Sequence, residues 1–180
     1  SYDYQRFYRT DCQRITYGIW FGTQSAYQFT NGGQSRMTTY RLNLNRPGQH
    51  KNLIKSFLVT SGQNLRLDTV TYFQASNTDS QTIVKVVVMP HAQAHLTGLI
   101  KINPHLKQVN AFLKHQVLLV GQDSLAVSVP KLEIESDDVV ASHAATIGPI
   151  DQDQIFYLMS RGFSRSQATK LIINSFLNSL

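Results

Sequence analysis

Short runs of alternating hydrophobic and polar residues occupy most of the chain, and this is the pattern of half-buried β-strands. The runs are rich in Val, Ile, Thr, Tyr and Phe, and segments rich in Gly, Asn, Asp and Pro separate them. Many short strands joined by turns are typical of a sandwich, a barrel or a β-solenoid. The plentiful Asn and Gln suit the stacked rungs of a solenoid, although no strict repeat motif is present. The predicted strands are 14–21, 38–44, 52–60, 65–75, 82–89, 99–102, 116–120 and 131–134.

The pattern changes to helical near the end of the chain. Asp151 and Ser164 are each followed three residues later by Gln, which is the form of a helix capping box. Gly162 is expected to end the first helix, and Phe163 to pack between the two helices. We therefore divide the chain into a β core, 1–148, and a C-terminal helical segment, 149–180. The predicted apolar stripes are Ile155, Phe156, Leu158 and Met159, then Ala168, Leu171, Ile172 and Phe176.

The composition fits a single domain. The chain has 180 residues, of which 42% are hydrophobic, enough for one core. No apolar run approaches the ~18 residues of a membrane span, and the polar N-terminus does not resemble a signal peptide, so we expect a cytoplasmic protein. The lone cysteine, Cys12, excludes an intrachain disulfide framework and a Cys-rich zinc site, and we interpret it as a small core residue. Because Ser1 stands in place of an initiator methionine, we expect a trimmed chain.

The net charge of +6 lies entirely in residues 1–60, which carry eight basic and two acidic residues. Tyr and Arg alternate at the start of this region, an arrangement that suits nucleic acid. A solvated strand surface produces the same pattern, and no helix-turn-helix or RNA-binding strand motif accompanies the charge. A basic, β-rich nucleic-acid-binding module is therefore the alternative functional hypothesis.

Enzyme motifs are absent from the sequence. There is no G-x-S-x-G, Walker A, G-x-G-x-x-G or H-E-x-x-H motif, so we predict no catalytic activity. Asp137 and Asp138 would point to opposite faces of a strand, and no clustered carboxylates suggest a carbohydrate-active β-helix enzyme. His91 and His95 have a spacing that suits a metal only on a helix, which the flanking residues disfavour. The remaining histidines are predicted in a loop (His50), a turn (His105) and the end of a bend (His115).

His143 lies in a segment with the alternation of a strand. Its neighbours are small, so a ligand could approach the imidazole, but the pattern alone favours a packed and hydrogen-bonded core histidine. On such a strand the residues sharing one face with it are Val139, Ala141, Ala145 and Ile147.

Several motifs of the last third resemble the signature of the SufB/SufD family, components of the Suf machinery for iron–sulfur cluster assembly. They are PKLEI at 130–134, DDV at 137–139, ASHAATIG at 141–148 and QIFYLMSRG at 154–162. The resemblance is dense over 130–180 and weaker over 98–120. The first 95 residues resemble the family only in their general β character.

The resemblance implies a right-handed parallel β-helix core with a short C-terminal helical segment. It also implies a non-catalytic scaffold: SufB and SufD pair through their β-helices, and the ABC-type ATPase SufC, which hydrolyses the ATP, docks at the C-terminal regions. The complex builds a nascent cluster from iron and persulfide sulfur. The exposed edges of a β-helix also allow a homodimer. Because family members usually have a longer β-helix and a preceding region, we expect a fragment or a shortened member.

The resemblance gives His143 a role as an iron ligand, since it matches the histidine that SufD contributes at the SufB–SufD interface. Here Ser142 and Ala144 replace the two acids that flank the histidine in SufB, and 116–129 contains no cysteine, so the chain resembles the SufD branch. Ala144 stands where glycine is usual, and Ala141 where some members have cysteine. With one strong ligand, the chain is expected to hold no cluster alone and to share a transient iron–sulfur cluster with a SufB-like partner.

The resemblance also implies a SufC-binding surface in the helical segment. Aromatic residues and Arg dominate interface hot spots, so our candidates are Phe156, Tyr157, Met159 and Arg161. Tyr157 and Arg161 are neighbours on a helix and are the expected exposed pair. Phe156 and Met159 could instead be core residues between the helix and the solenoid.

Overall fold

The chain forms a parallel β-solenoid of about four turns followed by two helices, as the sequence predicts. This computed structural model describes the backbone of residues 23–29 and all atoms of residues 36–179. The predicted strand 14–21, Cys12 and the basic and aromatic residues at the start of the chain lie outside the described residues.

Nine strands in the described residues form two parallel sheets. Successive strands alternate between the sheets, so each turn of the solenoid contributes one strand to each. Sheet A has five strands in the order β1 (Thr23–Phe29), β3 (His50–Val59), β5 (Thr78–Val88), β7 (Lys107–Leu119) and β9 (Asp138–Pro149); sheet B has four in the order β2 (Arg36–Leu44), β4 (Asn64–Phe73), β6 (Gln93–Ile102) and β8 (Leu125–Ile134).

The strand register reveals a repeat of about 30 residues that has no matching sequence motif. Along one column of sheet A, Leu53 aligns with Thr82, Thr82 with Leu113, and Leu113 with His143, which are steps of 29, 31 and 30 residues. The step varies because the turns differ in length, and one column accepts Leu, Thr and His. No strict repeat motif is therefore needed to build the solenoid.

Side chains of each strand alternate between the interior of the solenoid and its outer surface. In β4 the buried positions are every second residue, from Leu65 through Leu67 to Phe73. Inward side chains from both sheets form the core, with Phe57 and Leu96 among its largest fully buried members.

The corners between strands need left-handed backbone. Gly62 and His91 have φ angles of 76° and 57° and lie in successive turns, where the Gly62 amide donates to the His91 carbonyl oxygen over 3.1 Å. His105 has a φ of 62°, which confirms its predicted position in a turn.

Both predicted helices are confirmed. α1 spans Gln152–Ser160 with Asp151 as its N-cap, and α2 spans Arg165–Asn178 with a complete capping box between Ser164 and Gln167. Gly162, with a φ of 94°, lies in the joint between them. Neither helix is long and apolar enough to span a membrane.

The helices pack against the outer face of sheet A. Ile155, Ala168, Ile173 and Leu177 are buried in one apolar cluster with outward residues of β3 and β5, such as Val87. These helices explain why β3 and β5 end in continuous buried runs: one face meets the core and the other meets α2.

Polar contacts fasten the end of α2 to the sheet. The Ser56 hydroxyl donates to the Leu177 carbonyl oxygen over 3.1 Å. The Lys85 ammonium donates to the Phe176 carbonyl oxygen over 3.2 Å and also to Ser179. A cation near the last carbonyls of a helix is favourable, and burial lowers the pKa of Lys85, as does the nearby charge of Lys114.

Two details of the predicted packing are wrong. Leu171 is exposed and Ile173 takes the buried position, because α2 faces the sheet with a stripe displaced from the predicted one. Phe163 is also exposed and does not fill the joint between the helices.

Three predicted strands are much too short. The strands predicted at 99–102, 116–120 and 131–134 begin at Gln93, Lys107 and Leu125. Gly98 and His115 interrupt the apolar pattern although both occupy inward positions. His115 therefore lies inside β7 and not at the end of a bend, as predicted, and His50 begins β3.

Candidate functional site

The last rung of the solenoid, formed by β8 and β9, has a free edge: each strand ends its sheet, and no further strand in the described residues pairs with it. The Leu125 amide donates to the Ala92 carbonyl oxygen and the Ile150 amide to that of Leu119. In a parallel sheet, the backbone N–H and C=O groups of successive residues form hydrogen bonds alternately to the strand on one side and to the strand on the other. Even-numbered residues of β8 and odd-numbered residues of β9, including His143, therefore turn their backbone groups to the free edge.

The free edge bears two prolines and a set of exposed apolar side chains. Pro130 and Pro149 fall at edge-facing positions, where the missing N–H removes no ladder hydrogen bond. Val140 on β9 is 68% exposed. Leu125, Val127 and Val129 on the outer face of β8, with Ile134 and Ile147, are the other exposed apolar residues of the rung.

His143 lies on the inner face of β9, as predicted, and aligns with the buried Leu113 of β7. Its side chain is exposed because no rung covers this end in the described residues, so the interpretation as a packed core histidine is wrong. The flanking inward residues, Ala141 and Ala145, are small. The imidazole is therefore accessible from the open end of the solenoid.

A second histidine lies beneath the last rung. His115 faces inward from β7 and is only 1% exposed. Its Nδ1 lies 2.8 Å from the Ser128 hydroxyl of β8, whereas its Nε2 is buried without a hydrogen-bond partner. Burial lowers the pKa of His115 to about 4, and the positive charge of a protonated His143 contributes to this lowering. The imidazole is thus neutral at physiological pH.

Gly98 provides the space for this ring. A Cβ atom at Gly98 would overlap Cδ2 of Leu113 and lie 3.0 Å from Cε1 of His115. The sequence pattern places His115 at the end of a bend and therefore does not mark it as a functional residue. The alternation of Ala111, Leu113, His115 and Val117 is the signal that identifies it as an inward residue.

The four candidates for an ATPase-binding surface are all exposed on or just after α1. Phe156 is 74% and Tyr157 57% exposed. The Arg161 guanidinium lies 5.3 Å from the centroid of the Tyr157 ring, which confirms the expected exposed pair. The alternative that Phe156 and Met159 are core residues is wrong, because Ile155 alone is buried in this helix.

The other histidines do not form a metal centre. Within residues 23–29 and 36–179, no group of three or more His, Cys, Asp or Glu side chains could hold a metal ion. His91 lies at a corner, 3.3 Å from the Asp123 carboxylate, and His95 faces outward from β6. Glu133 pairs with Lys101 over 3.2 Å. A metal at this end of the protein therefore needs ligands beyond one histidine.

Comparison with known proteins is consistent with these features. Residues 19–176 match the model of the SufBD core domain of the SUF system for FeS cluster assembly. The chain is 32% identical to the iron–sulfur cluster assembly protein SufD of Escherichia coli over 156 residues, which are 86% of this chain and 36% of the relative. It is 36% identical to SufD of Bacillus subtilis over 91 residues, 51% of this chain and 21% of the relative. It is 28% identical to a SufBD family protein of Mycobacterium leprae over 84% of this chain and 41% of the relative.

The chain thus spans about a third of the length of the E. coli relative. The family match covers the parallel solenoid, the last rung with His143 and nearly all of both helices. The chain therefore belongs to the SufBD core family of the SUF system for iron–sulfur cluster assembly.

Proposed function

We propose that the chain is a SufD-like scaffold subunit without catalytic activity of its own, acting in the cytoplasm. It pairs with a SufB-like subunit through the last rung and docks a SufC-like ABC ATPase through its helical segment. Iron is the cargo of the complex, and His143 is this chain's ligand for it. The single observation that carries the proposal is the accessible imidazole of His143 on a free β-edge.

The free edge supports the pairing with a SufB-like subunit. Unpaired backbone groups on two adjacent edge strands are a template for strand addition. The apolar residues of the rung, with Val127 and Val140 among the most exposed, would be buried by such a partner. A second copy of the chain is the other partner that this edge would accept.

The helical segment supports the docking of the ATPase. Phe156, Tyr157 and Arg161 form an exposed aromatic and cationic surface on a helix whose opposite side is fixed to the solenoid by Ile155. Large aromatic side chains and Arg are the residues that supply most binding energy at interfaces.

The iron role follows from the chemistry of the ligand. Imidazole is a suitable ligand for iron, and an exposed residue at an interface can share the ion with ligands from a partner. No group of three or more His, Cys, Asp or Glu side chains lies together within 23–29 and 36–179, so we expect a partner to supply the other ligands of the cluster.

The test is co-purification with cognate SufB-like and SufC-like subunits. Val140→Lys should abolish retention of the SufB-like subunit, because it places a charge on the edge. The matched control is Met37→Lys. Met37 is 66% exposed on β2, three strand positions from β8 of the last rung, so this change should leave both partners bound. Phe156→Asp should release only the ATPase.

Failure of the folded chain to retain either partner would reject the proposal. Tight, salt-dependent binding of a random oligonucleotide, with no partner retained, would instead support the nucleic-acid hypothesis. In complexes that form, His143→Ala should lower the yield of assembled cluster, and an unchanged yield would reject the iron role of His143.

A further inference from the structure

The basic excess of the first third has no role in the proposed function. Arg36 on β2 aligns with the buried Leu65 and therefore points into the solenoid. Lys55 on β3 aligns with the buried Val84 and points inward as well. Arg41 lies five positions after Arg36 and points outward from the same strand. Residues 36–60 contain five cations and no acidic residue: Arg36, Arg41, Arg46, Lys51 and Lys55.

Lys55 is a buried cation without an anion. Only 6% of the residue is exposed, yet no carboxylate and no hydrogen-bond acceptor among the described residues contacts its ammonium group. The ammonium nitrogen lies 5.2 Å from the centroid of the Tyr40 ring, which is a cation–π contact. Burial lowers the pKa of Lys55, because an ammonium without an ionic partner is unfavourable in an apolar interior. An apolar side chain would suit this position better unless the ammonium binds a ligand.

Arg36 and the ring of Tyr40 connect this ammonium to the end of sheet B. Burial raises the pKa of Tyr40, and the nearby positive charge of Arg36 lowers it, so the guanidinium lies close to this ring. Arg36 is exposed, because β2 is the terminal strand of sheet B within the described residues. The ammonium of Lys55 is not fully enclosed either. The two cations therefore lie around one ring, one near the surface and one further inside.

We propose that Arg36 and Lys55 form a binding site for a phosphate group near the start of the described solenoid. Lys55 is the inner cation, and Arg36 is the outer one, whose planar guanidinium can donate to two oxygens of the same phosphate. A dianion suits two cations better than a carboxylate does, since no acidic residue in 36–60 offsets their charge. The site lies at the opposite end of the solenoid from His143 and goes beyond the proposed function.

The test titrates the full chain with inorganic phosphate at constant ionic strength and follows calorimetry and thermal unfolding. The unsubstituted chain should bind a single phosphate, and its Tm should rise with phosphate concentration, because a ligand of the folded state stabilises it. Lys55→Met should weaken binding by about tenfold or more, as loss of a charged hydrogen bond does, and should make the Tm independent of phosphate. Met retains the length of the side chain and removes an unpaired charge, so this variant should fold.

The two arginines of β2 provide a matched pair of variants. Arg36→Gln should weaken phosphate binding by about tenfold, because it removes the outer cation. Arg41→Gln removes the same charge from the exposed outer face of the same strand and should leave the affinity unchanged. This pair decides the matter if Lys55→Met does not fold.

AMP distinguishes the two sources of a phosphate group. Tighter binding of AMP than of inorganic phosphate, with the same dependence on Lys55, would assign the site to a nucleotide. Binding of AMP that is no tighter would assign it to free phosphate.

Absence of phosphate binding to the unsubstituted chain would overturn the proposal, and so would an unchanged affinity for Lys55→Met. Equal losses in Arg36→Gln and Arg41→Gln would also overturn it, because the attraction would then come from the general charge of the region, as it does for nucleic acid. Retention of the SufB-like and SufC-like subunits does not depend on any of these results, so the two proposals fail separately.

Discussion

The covered rung of β6 and β7 and the last rung of β8 and β9 have the same backbone geometry but different interiors. In the covered rung Leu96 and Leu113 point inward and are buried. The aligned residues of the last rung are Ser128 and His143, and the latter is exposed. One register thus carries a hydrophobic core in one turn and accessible polar groups in the next.

Inward direction and burial of a side chain therefore have separate causes in this solenoid. The pleat of the strand and its register decide which side chains face the interior. Burial needs a following rung as well, and none covers β8 and β9 in the described residues. At the open end the solenoid therefore holds side chains such as His143 in fixed positions without enclosing them.

The largest difference in the free energy of unfolding is expected between substitutions at two residues of one column. Leu113→Ala should lower the free energy of unfolding by about 2–5 kcal/mol, because it leaves a cavity in a covered rung. His143→Ala, one rung further, should change it by no more than about 0.5 kcal/mol, as exposed positions do. Urea unfolding measures both. Similar losses for the two variants would mean that the last rung is packed as tightly as the others.

The next effect concerns pH and the histidine beneath the open end. The pKa of His115 is about 4 in the folded chain, below its ordinary value of 6.5, so the unfolded chain binds the proton more readily. Its contribution to stability is complete above about pH 6.5 and is lost as the pH falls to about 4, a change of about 3 kcal/mol. Unfolding of the unsubstituted chain and of His115→Leu should be compared from pH 4 to 8.

The difference in stability between these two chains should vary with pH over that window, because other titrating groups are common to both. A constant difference would show that His115 is not shielded from solvent by the last rung.

The smallest difference in stability is expected between alanine substitutions at two glycines. Gly98→Ala should destabilise the fold by about 1–3 kcal/mol, because the new methyl group meets Leu113 and His115 in a covered rung. Gly148→Ala in β9 meets no atom within 4 Å and should be neutral or slightly stabilising. Thermal unfolding distinguishes them. A neutral Gly98→Ala would show that the His115 ring moves freely.

The sequence predicted the β-rich class and the caps of both helices because these depend on local chemistry, whereas the solenoid itself was implied by the family resemblance. Alternation identifies strands, and Asp151 and Ser164 cap helices through hydrogen bonds to neighbours three residues away or fewer. The exposed pair of Tyr157 and Arg161 followed from helix spacing alone. Of the candidate site, the inward orientation of His143 was predicted from alternation, whereas its exposure was not.

His115, Leu171 and the register of the rungs needed the structure. A polar residue in a solenoid column resembles a turn residue when it is seen only in sequence, and Gly98, which makes room for it, lies 17 residues earlier. Leu171 and Ile173 are both apolar, and the placement of α2 against sheet A decides which one is buried.

Local patterns in the sequence were sufficient for many short strands and two capped helices, since strand alternation and helix capping act over a few residues. The choice of a solenoid over a sandwich or a barrel came from the family signature around His143. The tertiary structure alone decided that His115 lies under the open rung beside His143. Stacking brings together residues about 30 positions apart, and no local pattern records which side chains of successive turns will meet.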